Sequence, residues 1–245
     1  MKTLMLTSPH MKGKDVKEAQ RALRKAGYYH GIIDGDYGPV TGNAAALAKW
    51  TLGYAENKVT TTCGDALIAF ISGKRKPTLL MKQRAKSRQK KSFLGEKAIL
   101  IAGQYEGVSE NPPGSNECMF SHWYGIIGPW CAMFVTYCMV TAGSKGFKRG
   151  SYWAYCPFIL ADAKANRNGL TLIKAAQVKP GDVVLFDWNH DGTADHVGLT
   201  TSTVKNGSFS TIEGNTSGSN PSDGGSVARK THDLSNVIAF IRVLY

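Results

Sequence analysis

The chain has 245 residues, 42% of them apolar and 20% charged, with a formal net charge of +12. That composition excludes a disordered or fibrous chain, and no window reaches the ~18 uninterrupted apolar residues of a membrane span. The surplus of positive charge points to an anionic partner: nucleic acid, a membrane surface or an anionic cell wall.

The opening MKTLMLTSPHMKGK has an apolar core too short for a secretory signal and no small-residue cleavage site. The expectation is a chain that starts at Met1 and is made in a cytoplasm. A helix is predicted next, with Asp15 as cap and Glu18 as its capping-box partner. Val16, Ala19, Leu23 and Ala26 lie on one face of it, and Gly27 ends it. The stretch YYHGIIDGDYGPVT is a loop of turn residues. Thr41 is placed to cap a second helix running through Trp50. Thr62 is placed to cap a third that turns Ala66, Leu67, Phe70 and Ile71 inward. The run from Gly13 to Thr41, G-K-D-V-K-x-x-Q-x-x-L-x-x-x-G-Y-Y-x-G-x-I-D-G-x-Y-G-x-x-T, resembles the three-helix peptidoglycan-binding domain of cell-wall hydrolases. The resemblance implies a small all-α wall-binding domain over residues 1–72, with the glycines and Asp34 holding the loop.

From Lys74 to Lys91 there are nine Lys or Arg and no Asp or Glu. With one proline and few large apolar residues, residues 73–92 read as a solvated linker, helical in part, with capture of a polyanion as a second effect.

Residues 93–245 change character. FLGEKAILIAGQYEG (93–107) suggests a helix, a loop with Pro112-Pro113 follows, and further helices are predicted from Trp130 and over 156–169. After Lys179-Pro180-Gly181 come DVVLFDW, HVGLTTSTV, SFSTIEG, SVARKTH and VIAFIRVLY, short runs rich in β-branched and aromatic residues. Helices followed by strands give an α+β class with an antiparallel sheet. The five cysteines (63, 118, 131, 138, 156) are odd in number and irregularly spaced, so free, mostly buried thiols are expected.

Cys131 follows Gly128-Pro129-Trp130 at a predicted helix start, where unpaired amides favour a thiolate and can hold an oxyanion. Taken alone it reads as a packing residue. A nucleophilic thiol needs a base. Of six histidines, His10 and His30 fall in the N-terminal module, His122 in a loop, His190 in a turn and His232 near a late strand end. His196 begins a strand beside glycines. If HVGLTTS and SFSTIEG form a hairpin, Glu213 or Asn215 returns to the His196 end and can accept the imidazole N–H.

GPWCAMFV, KPGDVVLFDW, DHVGL and IEGNTS together resemble the CHAP family, cysteine- and histidine-dependent amidohydrolases and peptidases. The resemblance implies a papain-like fold, with Cys131 as nucleophile, His196 as general base, Glu213 as orienting acid and Asn215 as a supporting polar group. Trp130, Trp123 and Tyr124 are expected to line the substrate groove, with core packing as the alternative. Asp187, Asn189, Asp191 and Asp195 follow the opening of a calcium-loop pattern, but Gly198 stands where the bidentate Glu belongs, and an Asp-Gly hairpin turn reads equally well. The chemistry requires no cofactor; a structural calcium is the one candidate. The expected protein is therefore a monomeric peptidoglycan hydrolase of the endolysin kind. It would have no signal peptide and would reach the wall after the membrane is opened. An inactive wall-binding protein is the rival. A nucleic-acid binder is disfavoured, since no helix-turn-helix, zinc finger or aromatic platform is present.

Overall fold

The computed structural model describes residues 2–29, 31–90, 94–148, 151–217 and 224–244; His30, Lys91 and Phe93 of the segments above lie outside the described residues. The chain forms two compact units. One comprises residues 1–93 with 103–105, the other 94–102 with 106–245.

The first unit is helical. In α1 (Lys14–Lys25) Val16, Ala19 and Leu23 are buried as their spacing predicts. The cap is Gly13 and not Asp15, which sits inside the first turn, where its charge meets the positive helix end without a capping box. α2 (Pro39–Leu52) starts on Pro39, whose fixed φ suits a first turn, so Thr41 lies within the helix. The Thr41 hydroxyl is taken up elsewhere: it accepts from Gln20 Nε2 at 3.1 Å. Gln20 is fully buried, donates to Asp34 Oδ1 at 2.8 Å and accepts from the Gly35 amide at 2.9 Å. One side chain of α1 thus ties down the Asp-Gly-Asp turn. α3 (Asp65–Ile71) follows Gly64, not Thr62, and buries Leu67 and Phe70 while Ala66 is exposed.

The basic segment is not merely solvated. Leu79–Lys90 form α4, since after Pro77 the run holds strong helix formers and no breaker. Met81 and Arg88, two turns apart on one face, are buried. Arg88 donates to the carbonyls of Trp50 at 2.5 Å and Tyr54 at 2.7 Å, at the negative end of α2. Gly53, at φ 82, leaves room for the backbone of Met81.

The second unit is α+β. Its helices are α5 (Leu94–Ala102), α6 (Met119–Tyr124), α7 (Cys131–Ala142) and α8 (Cys156–Lys164). The strands β1 (Leu170–Ile173), β2 (Val183–Phe186), β3 (His196–Thr200), β4 (Ser208–Thr216), β5 (Ser226–Asp233) and β6 (Val237–Val243) form one sheet in the order β1-β6-β2-β3-β4-β5. Every neighbouring pair is antiparallel. The expected β3–β4 hairpin is present. α6, which carries His122, and β1 are additions, of six and four residues, too short for a periodic signal. α7 packs on β3, β4 and α5, and β2 and β3 are buried at every position.

Candidate active site

Cys131 is the first residue of α7, directly after the N-cap Trp130. Its thiol meets the unpaired amides and partial positive charge of the helix tip. The sulfur of Cys156, first residue of α8, lies 3.8 Å away. The acidity of Cys131 reflects its neighbours and its burial together. The bond from Cys156 lowers its pKa most, burial opposes this, and the bond and positive charge of His196 lower it further. The outcome is a thiol held well below its ordinary range, while Cys156 is held well above it and keeps its proton.

His196 opens β3 and is completely buried. Its Nε2 donates to Glu213 Oε2 at 3.0 Å. Its Nδ1 is buried and meets no hydrogen-bond partner, and the ring's charge bears on the Cys131 thiol. Burial by itself would lower the His196 pKa. The bonds and negative charges of Cys131 and Glu213 override it and raise it to about 10. Burial would raise Glu213, but bonds from His196 and His232 bring it down to about 2. These shifts favour a charged His196 ring bonded to an ionised Glu213, and a lowered thiol pKa at Cys131.

The sheet explains the spacing. Gly198 pairs with Glu213 across the hairpin, so the carboxylate reaches diagonally toward His196. It can do so because position 198 has no side chain: a Cβ there would lie 2.7 Å from Glu213 Cγ. Gly214 has a matching role toward α7, where a Cβ would meet Phe134 Cβ at 2.5 Å and Trp130 at 2.7 Å. Asn215 is buried on the same strand in a left-handed conformation, φ 56, within a register irregularity between Glu213 and Thr216. Of the two residues considered as acceptors for His196, Glu213 takes the bond.

Of the three aromatics expected at the groove, Trp130 and Tyr124 take the core-packing alternative. Trp130 is 0% exposed, stacks on Phe120 at 5.5 Å and donates to Glu110 Oε1 at 2.9 Å. Tyr124 is buried too, and Trp123 is half-buried, edge-on to Tyr124 and Tyr137. Trp130 and Tyr124 fill the core around α7 because the helix is apolar on nearly every side. The exposed aromatic adjoining the thiol pair in sequence is Tyr155, immediately before Cys156.

The Asp187–Asp195 turn closes on its own amides. Asp187 accepts from Asp191 N and Gly192 N, Asp191 from Thr193 N, and Asp195 from Trp188 N. Among the described residues no group of three or more His, Cys, Asp or Glu is arranged to hold a metal ion. The oxygens of Asp187, Asn189, Asp191 and Asp195, the residues of the calcium-loop pattern, are engaged by amides of the turn itself, as the Asp-Gly hairpin alternative expects. Cys156 and His232 were missed in the sequence because each reaches the site only through tertiary packing, whereas Thr211, also missed, lies two residues before Glu213 on one face of β4, where strand alternation could have found it.

Residues 123–215 match the family model described as CHAP domain, and residues 12–45 match that of a peptidoglycan binding domain. The first match contains Cys131, His196, Glu213 and Asn215 and lies in the α+β unit; the second lies in the helical one. Among solved structures, a crystal structure of a wild-type endolysin, LysIME-EF1, is similar at 18% identity and a TM-score of 0.43, over 62% of this chain and 64% of that one. The chain thus spans a little under two thirds of that protein. No curated protein matches it.

Proposed function

We propose that the chain is a peptidoglycan hydrolase that cuts amide bonds with Cys131 as nucleophile. The observation that carries this reading is the buried Glu213–His196 bond of 3.0 Å beside a thiol of lowered pKa at a helix tip. The Cys131 thiolate attacks the carbonyl carbon of a stem-peptide or muramyl-L-alanine amide. The developing oxyanion is held by amides of the first turn of α7, where the Ala132 N–H already favours negative charge on the sulfur. The His196 imidazolium gives its proton to the leaving amine, and a thioacyl enzyme remains. Neutral His196 then takes a proton from water, the hydroxide attacks the thioester, and the thiolate leaves. Glu213 keeps the ring in place and stabilises its charged form.

The segment at 12–45 supports retention on the insoluble wall, which raises the local substrate concentration without new contacts at the thiol. Among the described residues no helix is long and apolar enough to cross a membrane. The test compares wild type with Cys131→Ala on purified peptidoglycan. Wild type should clear the suspension and Cys131→Ala should bind it without clearing. Equal clearing by both, or by neither, sinks the proposal. Mass spectrometry of the soluble products then assigns the bond: free lactyl groups mean amidase, free peptide ends mean endopeptidase.

A further inference from the structure

We infer that His232 is a positioning residue that clamps Glu213 from the side away from His196. The inference rests on the reading of Cys131 and His196 as nucleophile and base. Glu213 is 0% exposed, and a buried carboxylate is tolerated only when its oxygens are bonded. Oε2 takes the His196 bond at 3.0 Å. Oε1 accepts from His232 Nε2 at 2.7 Å and from the Thr211 hydroxyl at 2.5 Å. One oxygen is thus tied to β3 and the other to β5 and β4, which fixes the plane of the carboxylate. Without His232, Oε1 keeps the bond from Thr211, a freely turning hydroxyl on the same strand as Glu213, which leaves the carboxylate freer to rotate about its last torsion and carry the imidazole with it.

His232 is itself held. It pairs with Phe209 across β4–β5, and its ring lies against Phe186 at 4.5 Å, with Phe209 and Trp188 both at 5.9 Å. Its side chain is 11% exposed. The residue lies beyond the stretch that matches the CHAP model. It acts on the reaction through Glu213, so its effect should appear in turnover rather than in substrate binding.

The experiment compares wild type, His232→Phe, His232→Gln and Cys131→Ala as full-length protein. Phe keeps the ring packing and removes the donor, whereas Gln places an amide N–H where Nε2 stood. His232→Phe should lower kcat about tenfold, the scale of one lost hydrogen bond to a charged group, with the half-saturating peptidoglycan concentration within about twofold. It should also shift upward the pH at which iodoacetamide alkylation of Cys131 reaches half its maximum. His232→Gln should restore most of both. If His232→Phe melts earlier yet keeps kcat and the alkylation profile, the residue is packing only and the inference is overturned. Should that variant not fold, proton–nitrogen NMR of the wild type decides. A slowly exchanging Nε2–H of His232 that disappears in Glu213→Gln supports the clamp; a His232 protonated on Nδ1 alone overturns it. Clearing by Cys131→Ala would instead strike the underlying reading, so the two failures are separable.

Discussion

Acidity at Cys131 draws on a second thiol as well as on His196. Cys156 donates from 3.8 Å and holds its own proton, so the negative charge settles on Cys131. Cys156→Ala should slow iodoacetamide alkylation of Cys131 at pH 6 by about tenfold, the scale of one lost bond to an anion, while Cys156→Ser should keep most of the rate. The carboxylate supplies the complementary half. Glu213→Gln should lower kcat by about 10³–10⁴ with little change in half-saturation, since it disturbs the tautomer and charge of His196 and not substrate contacts. Its stability effect has a defined pH window. His196 is raised from 6.5 to about 10, so its contribution is complete below pH 6.5 and lost as pH climbs toward 10. Glu213 is lowered from 4.5 to about 2, so its contribution is complete above pH 4.5 and lost as pH falls toward 2. The gap in Tm between wild type and Glu213→Gln should therefore be widest between pH 4.5 and 6.5, as read by thermal melts across pH.

Two glycines do the corresponding work for the elements. Gly198 clears space over β3 for the Glu213 side chain, and Gly214 lets β4 approach the first turn of α7. The two substitutions should separate by readout. Gly214→Ala forces its methyl into Phe134 and Trp130, so it should cost about 1–3 kcal/mol in denaturant unfolding, as overpacking does. Gly198→Ala meets a side chain that can yield. It should cost less stability but lower kcat, because the group that yields is the acid. At the helix starts, Asp15, Thr41 and Thr62 carried the right chemistry for caps, yet Gly13, Gly38 and Gly64 hold those positions. Thr41 is claimed by Gln20, a partner 21 residues away that no local pattern displays. Cap residues are legible only when nothing distant competes for their oxygen.

For the whole molecule, the helical unit depends on the basic segment. A fragment ending at residue 72 would lack α4 and leave the Trp50 and Tyr54 carbonyls without Arg88. A 1–90 fragment should therefore melt several degrees above a 1–72 fragment, measured by circular dichroism, and both should be retained on peptidoglycan if the 12–45 segment is sufficient. Apolar spacing in α1, β-branched runs in the second half and the Pro-Trp-Cys-Ala, Asp-His-Val-Gly and Glu-Gly-Asn motifs were enough to read an α+β fold, a hairpin bringing Glu213 to His196, and a thiol at a helix tip. These are local properties: periodicity, turn chemistry and short-range register are written in consecutive residues. Tertiary structure alone decided that Trp130 and Tyr124 are core, that Arg88 caps α2, and that Cys156 and His232 stand beside the thiol and the acid. Such contacts join residues 25, 38 or 19 positions apart, and which side chain meets which depends on how whole elements pack.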